Sequence, residues 1–159
     1  MDMYVIQVRF RCETSVCCEL KKQGFDAILP TVNEYIRRGG KWSIHERRIF
    51  TQYVFIRFEP SEINYYRIRK IRGIIKFLDC NQPLKYNEQK YIEWLENGGK
   101  PIEPSEINVN PDGRITVVSG ILKNYSDNEI KYNIRQRKAD VFIKIAGCEH
   151  KVTLPVVCI

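Results

Sequence analysis

Asp26 with Glu34, and Asp79 with Glu88, could each form a carboxylate pair for metal-dependent phosphoryl chemistry. Neither pair sits in a motif, and the chain has no Gly-rich phosphate loop, no H-E-x-x-H and no nucleophile elbow. The cysteines (Cys12, Cys17, Cys18, Cys80, Cys148 and Cys158) are scattered without a C-x-x-C, while His45 and His150 stand alone. A zinc site needs four ligands at close, paired spacings, so free thiols are expected instead. Catalytic residue types are present, but their arrangement predicts no active site, no metal and no cofactor.

Binding chemistry is better represented. The chain carries 26 Lys and Arg against 19 Asp and Glu, a formal charge of +7. Residues 1–97 hold 17 cations and 12 acids, residues 98–112 hold 1 and 3, and residues 113–159 hold 8 and 4, so both ends are basic and the middle is not. An excess of this kind suits a polyanionic partner where the charges cluster. "YIRRGGKWSIHERR" gathers Arg37, Arg38, Lys41, Arg47 and Arg48 around a Gly-Gly turn, with Trp42 beside it. A basic hairpin with one aromatic can follow a nucleic-acid backbone and stack a base. "RIRKIRGIIK" puts Arg67, Arg69, Lys70, Arg72 and Lys76 in ten residues without an acid, and its simplest reading is a solvated helix face. In the tail, Arg135, Arg137 and Lys138 fall at a hairpin tip, and with Lys123 they form the candidate patch for structured RNA.

The elements that must position these residues follow from periodicity. "YVIQV" alternates as a strand, Thr14 is a plausible cap for a helix carrying Val16, Cys17 and Leu20, and Gly24 ends it. A strand is expected from Ala27 to the Gly39-Gly40 pair, with a long return through "KWSIHERRIFTQYVFIRF". Ser61 caps a second helix with Ile63, Tyr66 and Ile71 partly on one face, "IIKFLD" is a strand, and Asn87–Leu95 a last helix placing Tyr91, Trp94 and Leu95 on one stripe. This order predicts an α+β domain over residues 1–97, a β-α-β-β-α-β antiparallel sheet with an extended hairpin and helices on one face. Residues 98–112 hold glycines and prolines typical of a linker. Over residues 113–159, "RITVV", "EIKYNIR", "ADVFIKI" and "HKVTLPVV" predict a small all-β barrel. No apolar run approaches the roughly 18 residues of a membrane span, and "MDMYVIQVRF" lacks the regions of a secretory signal, so a cytoplasmic protein is expected.

"YVIQVRF", "LKKQGFDAILPTV", "RRIFTQYVFIRF" and "IRGIIKFL", followed by "GRITVVSGILKNY" and "RQRKADVFIKI", resemble the NusG family of transcription elongation factors over nearly the whole chain. The resemblance implies an N-terminal NGN domain that docks on the clamp helices of RNA polymerase and suppresses pausing, a C-terminal KOW domain folded as an SH3-like barrel, and no active site. It places the aromatic docking positions on Tyr4, Phe50, Tyr53 and Phe55. Phe50 lies three residues before Tyr53 and needs a bulge or turn to join it, whereas Tyr53 and Phe55 share one strand face.

Two departures from the family pattern stand out. Thr51-Gln52 replaces the usual Pro-Gly between Phe50 and Tyr53, and "SGILKNYSDN" replaces "SGPxxGxxG", with Ile121 for proline and Asn124 and Asn128 for glycines. Asparagine tolerates left-handed backbone, so the turns can survive while the loop is respecified. The "RRGGKW" hairpin and the altered loop resemble LoaP-type specialised antiterminators, similar to RfaH and the UpxY group. That resemblance implies processive antitermination on particular operons, with the KOW domain contacting an RNA hairpin in the nascent leader, and it leaves upstream DNA and a ribosomal protein as further partners. The alternatives are a general elongation factor whose barrel meets Rho or a ribosomal protein, and a KOW-type ribosome or RNA-structural protein that ignores polymerase.

Overall fold

Residues 1–159 are described by the computed structural model, and their order is β1 (Met3–Val8), α1 (Glu13–Lys22), β2 (Asp26–Ile28), β3 (Thr31–Arg38), β4 (Lys41–Arg48), β5 (Tyr53–Arg57), α2 (Glu62–Arg69), β6 (Ile74–Phe77), α3 (Tyr86–Glu96), β7 (Ser105–Val109), β8 (Ile115–Ser119), β9 (Ile130–Asn133), β10 (Lys138–Ile145) and β11 (Cys148–Cys158). They divide into two units built from separated segments. The first holds Met1–Leu29, Phe50–Glu93 and Ile145–Cys148; the second holds Pro30–Ile49, Trp94–Lys144 and Glu149–Ile159. The hairpin β3–β4 thus belongs with the tail, although the sequence reading placed it in the 1–97 segment.

In the first unit the strands run β2-β5-β1-β6, all neighbours antiparallel. Register decides the two faces. Tyr4 stands opposite Ile56 and Ile6 opposite Val54, and these join Ala27, Phe58 and Phe77 in a core closed by Val16, Cys17 and Leu20 of α1 and by Ile68 of α2 with Ile71 beyond it. Burying each such aliphatic side chain stabilises the fold by about 1.5–3 kcal/mol. Val5 stands opposite Phe55, and Ile28 opposite Phe55 on the other edge, so this second face is apolar too, with Met3, Val5, Ile28 and Phe55 all buried.

All three helices depart in detail from expectation. α1 starts at Glu13 after Cys12, one residue ahead of the expected Thr14 cap, and no side chain caps it. The Glu13 carboxylate is directed away to the backbone of Gln52, as described below. Ser61 does cap α2, its Oγ accepting from Asn64 N at 3.1 Å. The packed stripe of α2 runs through Tyr65 and Ile68 and on to Ile71, three apart, while Ile63 and Tyr66 remain exposed. α3 extends the expected helix by one residue at each end.

The two long β runs are interrupted by identifiable residues. Pro30 separates β2 from β3, because it has no N–H for the ladder, and Gln52 with φ of +65° separates β4 from β5. β3 and β4 pair from Thr31–Arg48 to Arg38–Lys41 and close through Gly39-Gly40, whose φ angles of +57° and +76° suit a two-residue primed turn.

In the second unit a five-stranded sheet runs β8-β7-β11-β10-β9. Its four tail strands lie where the sequence placed them, and the fifth, β7, comes from the segment read as linker. Ser105, Glu106 and Ile107 alternate buried, exposed, buried, and β7 pairs antiparallel to β8 and parallel to β11. Upstream, Ile102 N donates to Thr31 O and Ile102 O accepts from Asn33 N, both at 2.8 Å. Pro101 and Pro104 flank Ile102 without removing the donor it uses, so a proline-rich segment still joins β3.

Candidate nucleic-acid interface

The four aromatic residues named as docking positions do not lie together. Tyr4 is buried in the helix-covered core with its ring centroid 4.9 Å from that of Phe58. Phe50, Tyr53 and Phe55 do assemble: Phe50 stacks on Tyr53 at 6.4 Å and meets Phe55 edge-on at 5.3 Å. Of the three, Phe55 is fully buried and Phe50 is 5% exposed, while Tyr53 is only partly covered. Burial raises the Tyr53 phenol, helped by the nearby Cys148 thiol, so the hydroxyl stays protonated at neutral pH.

The turn that brings Phe50 to Tyr53 is held by residues the sequence reading did not connect. Gln52 N donates to Glu13 Oε1 at 3.0 Å, and Gln52 O accepts from Val8 N at 2.9 Å. Glu13 is 1% exposed, so its carboxylate is committed to this turn. Gln52 occupies the left-handed backbone that the family pattern gives to glycine. We expect Glu13→Ala to lower stability by about 1–3 kcal/mol, because it leaves a shielded N–H without its acceptor. Gln52→Gly should stay within about 1 kcal/mol of the native chain, since glycine adopts this φ freely but loses more entropy on folding. Urea denaturation of the two variants checks both.

Two of the basic clusters converge in the second unit. Arg37 and Trp42 are register partners, and Tyr35 lies two residues before Arg37, so all three share one face of the hairpin. The Tyr35 and Trp42 rings meet edge-on at 6.3 Å. Onto them comes Arg137 from the tail, its guanidinium carbon 4.4 Å from the Trp42 centroid and 4.9 Å from that of Tyr35. The tail reaches this position through a 3-10 turn, Ile134–Gln136, capped by Asn133 Oδ1 accepting from Gln136 N at 3.2 Å. Arg137 follows it with φ of +57°, a left-handed conformation unusual outside glycine.

Beside the rings a cleft of about 560 Å³ opens, lined by Tyr35, Arg37, Trp42, Arg135 and Lys138, with no carboxylate among its walls. Arg37, Arg135 and Lys138 make no ion pair. Arg137 itself does not line the cleft; its charge is spent on the ring faces. Tyr35 was missed by the sequence reading, although the Gly39-Gly40 turn fixes the register that puts it beside Trp42.

The remaining candidates lie apart from this cleft. Arg38 and Lys41 face each other at the exposed hairpin tip, on the face opposite to Trp42. Lys123 is exposed in the turn Ile121–Asn124 after β8. Arg47 is bound within the fold: its Nε lies 2.9 Å from Glu34 Oε2, and its NH2 donates to Thr153 O at 3.2 Å. The Arg48 carbonyl accepts from Arg47 NH1 at 3.2 Å. Arg47 therefore ties β3 and β4 to β11. Arg47→Ala should lower stability by about 1–2 kcal/mol, discounted for a side chain that is 37% exposed, and Arg47→Lys should restore little because one ammonium cannot span both acceptors. A shift in urea midpoint reads the effect.

Three of the four carboxylates first considered for metal chemistry have other partners. Asp26 pairs with Arg57 at 3.1 Å, Glu34 with Arg47, and Glu88 Oε2 accepts from Ala146 N at 2.6 Å. No three His, Cys, Asp or Glu side chains come together as a metal-holding group, and no helix is long and apolar enough to cross a membrane.

Comparison with known families matches residues 1–94 to the family described as "Transcription termination factor nusG". A curated relative, the "Transcription termination/antitermination protein NusG" of Thermus thermophilus, is 25% identical over 147 residues, covering 85% of this chain and 79% of the relative. Among solved structures, one described as "Domain interaction in Thermotoga maritima NusG" superposes with a TM-score of 0.60 at 16% identity, over 98% of this chain and 93% of that one. This last likeness is one of fold.

Proposed function

This chain belongs to the NusG family of transcription termination and antitermination factors, and we propose that it is a specialised member of LoaP type, binding elongating bacterial RNA polymerase and promoting read-through on particular operons. The polymerase is held at its clamp helices through the accessible Tyr53 end of the aromatic group that Phe50 and Phe55 support from behind. An aromatic group of this kind, with Tyr53 at its accessible end, suits a protein hot spot. Residues 113–159, folded as an SH3-like barrel, contact a hairpin in the nascent leader RNA. The reaction chemistry remains the polymerase's own, and this factor needs neither catalytic residue nor cofactor in the cytoplasm where it works.

The observation that carries the specialised reading is the convergence of Arg37, Arg135 and Lys138 around Tyr35 and Trp42. A cationic cleft with aromatic walls offers phosphate attraction and a stacking surface together. The altered segment Ser119–Asn128 supports the same reading, since it departs from the family pattern where a general factor keeps it. The test is single-round transcription by purified bacterial polymerase. Adding the protein should shorten pauses and raise read-through of terminators; unchanged pausing and termination at saturating protein would overturn the proposal.

A further inference from the structure

We propose that the cleft between the β3–β4 hairpin and the Ile134–Gln136 turn binds one unpaired nucleotide, its base stacked on the Trp42 ring with the perpendicular Tyr35 ring meeting it edge-on, and its flanking phosphates held by Arg37, Arg135 and Lys138. The inference rests on the RNA-binding reading above and specifies its ligand. Three independent features of the molecule lead to it.

The first is the aromatic wall. Tyr35 and Trp42 meet at 88° and both line the cleft, so two ring surfaces form a corner. A duplex keeps its base faces stacked on each other, and only an unpaired base can offer its face to such a corner. The second is the charge. Three cations without ion-pair partners edge a cleft whose walls carry no acid, and a nucleotide brings phosphates on both sides of its base. The third is Arg137. Its guanidinium lies within 5 Å of both ring centroids, and its left-handed backbone is the kind of local strain that persists where the surrounding structure requires it. Held there, Arg137 fixes the rings before any ligand arrives, which lowers the entropy cost of binding. Arg137 is thus a positioning residue, and Arg37, Arg135 and Lys138 are the phosphate contacts.

The corner also explains why cations from distant parts of the sequence are needed together. Arg37 comes from the hairpin, and Arg135 and Lys138 come from the tail. Neither segment alone encloses a base.

The experiment uses the full chain and an RNA hairpin with one unpaired 2-aminopurine, compared with the same stem fully paired and with a DNA copy of the bulged hairpin. The bulged RNA should bind at least about tenfold more tightly than the paired stem, in line with the stacking of one base on an aromatic side chain. Its 2-aminopurine fluorescence should be quenched on binding. Trp42→Ala should abolish both the quenching and the preference, while Trp42→Phe keeps most of each. Arg37→Gln and Arg135→Gln, both exposed and therefore safe for folding, should each lower the slope of log affinity against log salt by about 0.7.

Equal binding of bulged and paired RNA, or unquenched 2-aminopurine in a tight complex, overturns the nucleotide site while leaving general RNA binding in place. Absence of binding to every RNA overturns this inference together with the RNA-contact reading, and polymerase binding then stands as a separate question. Bulged DNA bound as tightly as bulged RNA supports the unpaired-nucleotide site and assigns its ligand to single-stranded nucleic acid of either sugar. RNA bound selectively supports it and adds the 2′-hydroxyl to what is recognised.

Discussion

Gly120→Ala is expected to destabilise the tail sheet by about 2–5 kcal/mol. Two costs combine. Gly120 has φ of +101°, where an L side chain is strained by about 1–2 kcal/mol. A Cβ placed there would also lie 2.5 Å from Ser105 Oγ and 2.7 Å from Ser105 Cα, which is backbone of β7 and cannot swing aside. Such overpacking adds about 1–3 kcal/mol. Ser105 is fully buried, pairs with Val156 of β11, and its Oγ accepts from Leu122 N at 3.4 Å, so displacing it disturbs β7, β11 and the 3-10 turn after β8 together. A thermal melt followed by far-UV circular dichroism should show the strand signal lost at a clearly lower temperature. Ser105→Gly combined with Gly120→Ala should recover only part of the loss, because the contact with Cα remains. A single variant within about 1 kcal/mol of the native protein would mean that Gly120 is not packed against β7.

Tyr53→Ala should weaken polymerase binding by about 30-fold or more, the loss expected on truncating a hot-spot aromatic. Tyr53 is the member of the trio that remains partly exposed, so it can meet a partner without unfolding. Phe50 stacks behind it at 6.4 Å and is 5% exposed, so Phe50→Ala confounds docking with a core cavity. Phe50→Leu keeps the space filled while removing the stack, and its effect should be smaller than that of Tyr53→Ala. Should Phe50→Leu prove the more damaging while both proteins stay folded, the contact surface is centred on Phe50 instead.

Much of this architecture was legible in the sequence, because strand alternation and turn residues are local signals. "RITVV", "ADVFIKI" and "HKVTLPVV" each became strands, and Ser61 became the cap it resembled. The errors came where a distant partner decided the outcome. β7 was hidden because Pro101, Pro104 and Pro111 dominate its surroundings, yet its own five residues needed only β8 and β11 to pair with. Glu13 falls just before the expected Thr14 cap, where nothing local gives it a role; only the fold brings it to Gln52, thirty-nine residues away. Arg47 looked like one more cation of a nucleic-acid-binding run, and Glu34 with Thr153 took it for structure. The same limit applies to the cleft. The Gly39-Gly40 register already joins Tyr35, Arg37 and Trp42, but nothing local to either segment announces that Arg137 will close on them.

The hairpin also shows how one element can serve two ends. Its body is tied to the sheet by Arg47 and to the 98–112 segment by Asn33 and Ile102, and its face presents the rings. Rigid support from a second element is what a stacking corner requires, since a free hairpin tip would lose much of its contact energy in ordering.

The most direct test of the account is an equilibrium titration of the full chain against purified bacterial core RNA polymerase, with Tyr53→Ala as its partner experiment. Saturable binding by the native protein, weakened about 30-fold or more in a folded Tyr53→Ala variant, is the expected result. Absence of binding to a transcriptionally competent polymerase would contradict the account and leave the proposed RNA contact to be tested by itself.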